Sequence, residues 1–186
     1  MTIYDKGLLR AMKAAYRDGG YDVAMTDDGL LIQGECWGVE ISRDAVPNSV
    51  KSLIVLHNGA LPRMNSAAHV SKGECSEIIV ESAVSTMDNL SKAYTTTGGR
   101  TIKPTSLTFD GDRVWQTTDS LDVRLVDPND QQILIGESFA ACLVSGYIYG
   151  RSWFGQMYIM CQPVVPDDEP LLNHLTEMQW IPVELE

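Results

Sequence analysis

Nothing in this chain of 186 residues approaches the run of about 20 uncharged apolar residues that crosses a bilayer as a helix, so no membrane partner is expected. The opening MTIYDKGLLR lacks the apolar core and small-residue cleavage site of a secretory leader, which makes a cytoplasmic address the expectation. Cysteine is sparse. Cys36, Cys75, Cys142 and Cys161 lie far apart, with no CxxC pair and no disulfide-framework spacing. Three of them stand beside apolar or aromatic residues, so the cysteines read as buried, reduced, small hydrophobic side chains. Positive charge is also scarce: 14 Lys and Arg stand against 25 Asp and Glu, a net charge of -11. A balance this acidic argues against wrapping nucleic acid over a broad surface.

Motifs for chemistry are missing too. Gly98-Gly99-Arg100 and Gly34-Glu35-Cys36-Trp37-Gly38 are turn glycines, without the strand, loop and helix entry that cradle a phosphate. His57, His69, Cys75 and Cys36 fall at no compact zinc spacing, so neither metal nor cofactor is expected. The nearest approach to a catalytic motif is Gly136-Glu137-Ser138-Phe139-Ala140, which follows the apolar run ILI. Asp167 or Asp168 and His174 come later, in the Ser, Asp, His order of α/β-hydrolases. Ala140 stands where the nucleophile turn needs glycine, however, and no HGGG-like segment is present. Ser138 as a helix cap is the simpler reading, and a small serine hydrolase the alternative.

What is present is an ordinary globular composition, 44% apolar and 21% charged, long enough to bury about 70% of its unfolded surface. The clearest element is a helix over residues 4–20. Leu8, Leu9, Met12, Ala15 and Tyr16 make its apolar stripe, while Lys6, Arg10, Lys13 and Arg17 line the opposite side. Gly19 and Gly20 stop it. A meander follows, YDVAMT, the turn Asp27-Asp28-Gly29, LLIQGE, then CWGVEIS with Trp37, Val39 and Ile41 on one side. SVKSLIVLHNG reads as a short buried helix, with a strand as the alternative, LPRMNSAAHVSKGEC as loop with a short strand at AHV, and 76–94 as a further helix. TTTGGRTIKPT reads as a linker. Beyond it SLTF, the turn Asp110-Gly111-Asp112, RVWQTT and SLDVRLV alternate as strands, DPND turns, and QQILIG begins another strand. GESFAACLVSGYIYG is expected as a buried helix broken at Gly146, WFGQMYIMCQPVV as a strand, and Pro170 opens a last helix. The expected fold class is α+β, a largely antiparallel sheet of roughly seven or eight strands packed by about four helices. Residues 1–96 and 97–186 form two halves, or the whole chain is a single domain.

Charge is unevenly distributed. Residues 1–20 hold four basic and two acidic side chains, whereas 125–186 hold nine acidic ones and only Arg151. Tyr147, Tyr149, Trp153, Phe154 and Tyr158 cluster around Arg151, a composition of sheet cores and also of binding hot spots.

The opening DKGLLRAMKAAYRDGGYDVA (5–24), with Trp37 and then SLIVLHNGALP (52–62), resembles small accessory proteins of bacteriophages and integrated elements. That resemblance implies an inhibitor of a bacterial nucleic-acid-guided defence nuclease, of anti-CRISPR type, and carries no catalytic residues with it. The expectation is therefore an acidic interaction protein. Asp110, Asp112, Asp119, Asp122, Asp167, Asp168 and Glu169 would meet a protein partner with a basic surface. Lys6, Arg10, Lys13 and Arg17 would pair with carboxylates of this chain or of a second copy in a homodimer. The alternative is that residues 6–17 touch nucleic acid.

Overall fold

The computed structural model describes residues 5–119, 122–133, 141–152 and 154–164. Helix α1 (Asp5–Arg17) buries Leu8 and Met12 completely and leaves Lys6, Arg10, Lys13 and Arg17 exposed, as its periodicity demands. Gly19 and Gly20 follow at φ of 96° and 106°, where only glycine sits without strain. Strands β1 (Tyr21–Met25), β2 (Gly29–Gln33) and β3 (Trp37–Ser42) form the expected meander. Helix α2 (Asn48–Asn58) ends on the left-handed Gly59. Strands β4 (Ser66–Ser71) and β5 (Glu74–Ile78) make a hairpin whose β4 pairs with the free side of β1. Helix α3 (Val80–Thr97) ends on the left-handed Gly98.

The remaining elements are β6 (Arg100–Phe109), β7 (Asp112–Thr117), β8 (Val123–Val126), the single-turn helix α4 (Pro128–Gln131), β9 (Ala141–Val144), β10 (Tyr147–Ser152), β11 (Gly155–Met160) and β12 (Gln162–Pro163). The twelve strands among the described residues lie in one sheet, in the order β12-β8-β7-β6-β9-β10-β11-β3-β2-β1-β4-β5, and every pairing among them is antiparallel. The protein is thus a mixture of helix and sheet in which the sheet dominates, with more strands than the sequence suggests. Strand β3 lies against β11, so the sheet runs unbroken between the first ninety-odd residues and the rest.

Helices cover both faces. Leu8 and Met12 of α1 and Val50, Leu53 and Ile54 of α2 pack on Val23, Ile32, Val39 and Ile159 of one face. Ala83, Met87 and Leu90 of α3 pack on Leu31, Cys142, Tyr149 and Tyr158 of the other. The α3 face carries an aligned row, His69, Asp22, Gln33, Gly38, Tyr158, Tyr149 and Cys142, each opposite the next across neighbouring strands. Gly38 makes the row feasible: a Cβ there would stand 2.4 Å from Cε1 of Tyr158. With that space open, the Tyr158 hydroxyl crosses Gly38 and donates to Gln33 Oε1 at 3.1 Å.

Several expectations are corrected. Residues 141–152 are not a helix but the hairpin β9–β10, turned at Ser145 and Gly146 with φ of 49° and 84°. Two consecutive positive φ values are what a tight hairpin turn requires. The stretch read as a linker is the end of α3 and the beginning of β6, the longest strand. Pro104, which cannot donate to a ladder, sits where the β6–β7 register shifts. The short strand at AHV is part of β4, and the rest of 66–78, read as loop and helix start, completes the β4–β5 hairpin. Gln131 and Gln132 end the α4 turn rather than begin a strand. The expected last helix and the Ser138 motif lie outside the described residues.

Candidate functional site

A groove of about 540 Å³ runs between α1, the β2–β3 turn and the segment 127–132. Ala11, Ala14 and Ala15 line its helix side, and their small side chains leave the space open. The far wall is built by local capping. Asp127 is the N-cap of α4 and accepts from the Asn129 N–H at 2.7 Å, while Pro128 supplies a preset first helical residue. That geometry sets Asp127 and Asp130 on the groove wall, and Glu35 of the β2–β3 turn joins them.

The wall is electrostatically strained. Burial pushes the Asp130 carboxyl up to about 6, and the charges of Asp127 and Asp112 add to the shift. Asp112 is raised as well, by burial first and then by Asp127 and Asp110. The β6–β7 turn and α4 therefore form a single acidic surface. Burial raises the Cys36 thiol, reinforced by Asp130, Glu35 and Asp127. A thiol held protonated in this way is a poor nucleophile and metal ligand. Arg10 is the cation in the lining, yet it donates to the Gln132 amide oxygen at 3.1 Å and not to a carboxylate. Among the described residues, no ion pair neutralises Glu35, Asp112, Asp127 or Asp130.

The site residues expected from sequence divide into groups. Asp110 and Asp112 do not line the groove; Asp112 lies near enough to Asp127 and Asp130 for their charges to interact. Asp122 sits between Arg100 and Arg124, the latter at 3.0 Å, so its charge is already satisfied. Asp119 is exposed beyond the end of β7, the end away from Asp112. Asp167, Asp168, Glu169, Ser138 and His174 lie outside the described residues. Lys6, Lys13 and Arg17 are exposed and form no ion pair among the described residues, so the expected pairing with this chain's own carboxylates is not seen. Asp127, Asp130 and Glu35 went unrecognised as site residues. DPND does announce a turn, but no local pattern says that this turn meets α1.

The two described histidines, His57 and His69, are held by contacts within the fold. His57 stacks on Tyr16, ring centroids 3.8 Å apart, with Nδ1 3.2 Å from the Tyr21 hydroxyl. His69 sits between Asp22 Oδ1 at 2.7 Å and the Gly19 carbonyl at 2.9 Å. No group of three or more His, Cys, Asp or Glu suited to a metal exists among the described residues. Of the aromatic cluster, Tyr149 and Tyr158 are core residues under α3, whereas Phe154 is 40% exposed. Cys142 and Cys161 are buried; Cys75 is exposed, because the edge strand that carries it has its residues turned to solvent. No described helix is long and apolar enough to cross a membrane. No protein-family model, curated protein or solved structure matches this chain.

Proposed function

We propose that this α+β protein acts by binding, and that its acidic groove receives lysine or arginine side chains of a protein partner. The observation that carries the reading is Asp130, a half-buried carboxylate crowded by Asp127 and Asp112 and paired with no cation among the described residues. Such a group costs stability in the free protein, and a cation from outside relieves that cost on binding. The resemblance of residues 5–24 and 52–62 to phage accessory proteins supplies a partner class: the basic nucleic-acid channel of a guided defence nuclease in the bacterial cytoplasm. In that setting the groove wall would stand in for phosphates, and the protein would be an inhibitor of anti-CRISPR type.

The test is capture from a bacterial lysate with tagged protein at low salt, beside the charge-reversed bait D127K/D130K. The bound material is probed for protein and for nucleic acid. The expected result is a basic protein held by the wild type, released as salt rises, and missing from the reversed bait. Identical captures on both baits, or binding indifferent to salt, would overturn the reading. Nucleic acid retained through Lys13 and Arg17 instead would favour the accessory-factor alternative.

A further inference from the structure

We infer that the outward face of α1 is a docking surface for a second copy of this chain, whose groove wall it meets. This rests on the acidic groove being a binding site for cations, as proposed above, and names where the first such cations come from. Lys6, Arg10, Lys13 and Arg17 run along about 16 Å of helix at the ordinary rise per residue. All four are exposed, and none forms an ion pair among the described residues. Ala14, exposed among them, adds no bulk to that face and permits close approach.

Complementarity names the occupant. The chain carries a net charge of -11, so its cationic helix face is a local exception whose natural match is the chain's own remaining surface. Arg10 belongs to both features, standing in the basic row and lining the groove beside Asp127 and Asp130. The two stripes are therefore adjacent on one side of the molecule. A two-fold rotation that lays Lys13 and Arg17 of one copy over Asp127 and Asp130 of the other makes the same contact twice, the self-complementarity a closed dimer requires. Duplex nucleic acid suits this face less well, because a phosphate backbone on α1 would pass beside Glu35, Asp127 and Asp130. Long-range repulsion between two acidic copies is screened over about 8 Å at physiological salt, while charges in direct contact are screened much less.

The test is the molar mass in solution, by sedimentation equilibrium at micromolar concentration, of the wild type, K13E/R17E and D127K/D130K, with circular dichroism confirming that each is folded. The wild type is expected as a dimer and each variant alone as a monomer. An equimolar mixture of the two variants is expected to recover a dimer, because both contacts in the mixed pair again join opposite charges. A monomeric wild type, a dimer in either variant alone, or a mixture that stays monomeric would each overturn the inference. A monomeric wild type that still captures a basic protein through Asp127 and Asp130 overturns this inference and leaves the proposed function standing. A charge-swappable dimer that captures no foreign protein does the reverse. Binding of short duplex DNA by a monomeric wild type, lost in K13E/R17E, would reassign the α1 face to nucleic acid.

Discussion

His69 has an acceptor at each ring nitrogen, an arrangement that favours the doubly protonated imidazolium, which can donate to both. Its pKa is raised above 6.5, through the hydrogen bond to Asp22 first and the Gly19 carbonyl next, against the opposing effect of burial. A base with a raised folded pKa stabilises fully below its unfolded value and loses that contribution as pH rises through the folded one. The ring is 37% exposed, so the effect is small, about 0.5 kcal/mol. Urea unfolding of the wild type should lose that much stability relative to H69Q between about pH 6 and pH 8. Parallel curves would show the pair to be inert. His57 has the opposite sign, since burial and then Lys13 lower its pKa. Its contribution is present above 6.5 and fades as pH falls through the lowered value, so H69Q is needed to isolate His69. Gly38→Ala is a second single-residue test. It drives a methyl into the Tyr158 ring and should cost roughly 1–3 kcal/mol, seen as a fall in Tm that shrinks in a Tyr158→Leu background. Neither contact could be read from the sequence. His69 and Asp22 are 47 residues apart, and Gly38 looks like any strand glycine until Tyr158 arrives from another part of the chain.

At the level of elements, readability followed amphipathicity. Helix α1 has one wet face, and strand β3 alternates Trp37, Val39 and Ile41 with Gly38, Glu40 and Ser42, so their periods of 3.6 and 2 stand out in the residue types. The β9–β10 hairpin has no such contrast. All four residues of β9 and three consecutive residues of β10 are buried, so the segment shows a run without a period. Length then suggested a helix, and only Ser145-Gly146 could have argued otherwise. Strand β4 was legible only at AHV, and β5 not at all, for the opposite reason: β5 is exposed along nearly all its length and offers no apolar run. That exposure matters, because β5 is the last strand of the sheet's order and, among the described residues, no strand pairs with its outer edge. Glu74 and Glu77 on it are the usual safeguard against edge-to-edge pairing. Glu77→Val should leave the fold intact and promote concentration-dependent association, followed by light scattering. An unchanged scattering signal would mean that the edge is protected in another way.

For the whole molecule, the informative feature is that α4 and the β2–β3 turn, remote in sequence, place their carboxylates on one wall, with Asp112 of the β6–β7 turn close enough to add its charge. The sign of charge along the chain was readable beforehand. The convergence was not, because it depends on how a twelve-stranded sheet brings its distant turns to one helix. Asp130 ties this wall to pH. Its carboxyl pKa rises from 3.8 to about 6 on folding, so the folded state holds the proton more tightly and stability declines as pH rises across that window. Asp130→Asn should therefore raise stability at neutral pH, by about 1 kcal/mol once solvent screening is allowed for. The same substitution should weaken binding of a basic partner and remove the loss of wild-type affinity as pH falls below about 6. A variant that is less stable than wild type at neutral pH would contradict the account of the wall.

The pairing of β3 with β11 also has a kinetic consequence. Glu40 and the Gln156 that hydrogen-bonds to it are 116 residues apart, a stretch that a ribosome adding 5–20 residues per second needs roughly 6 to 23 s to supply. Through that interval the meander exists with the outer edge of β3 open and Trp37, Val39 and Ile41 without their β11 neighbours. The nascent chain is therefore most exposed to misassociation over its first finished strands, and its slowest folding event is the late arrival of β11 at that edge.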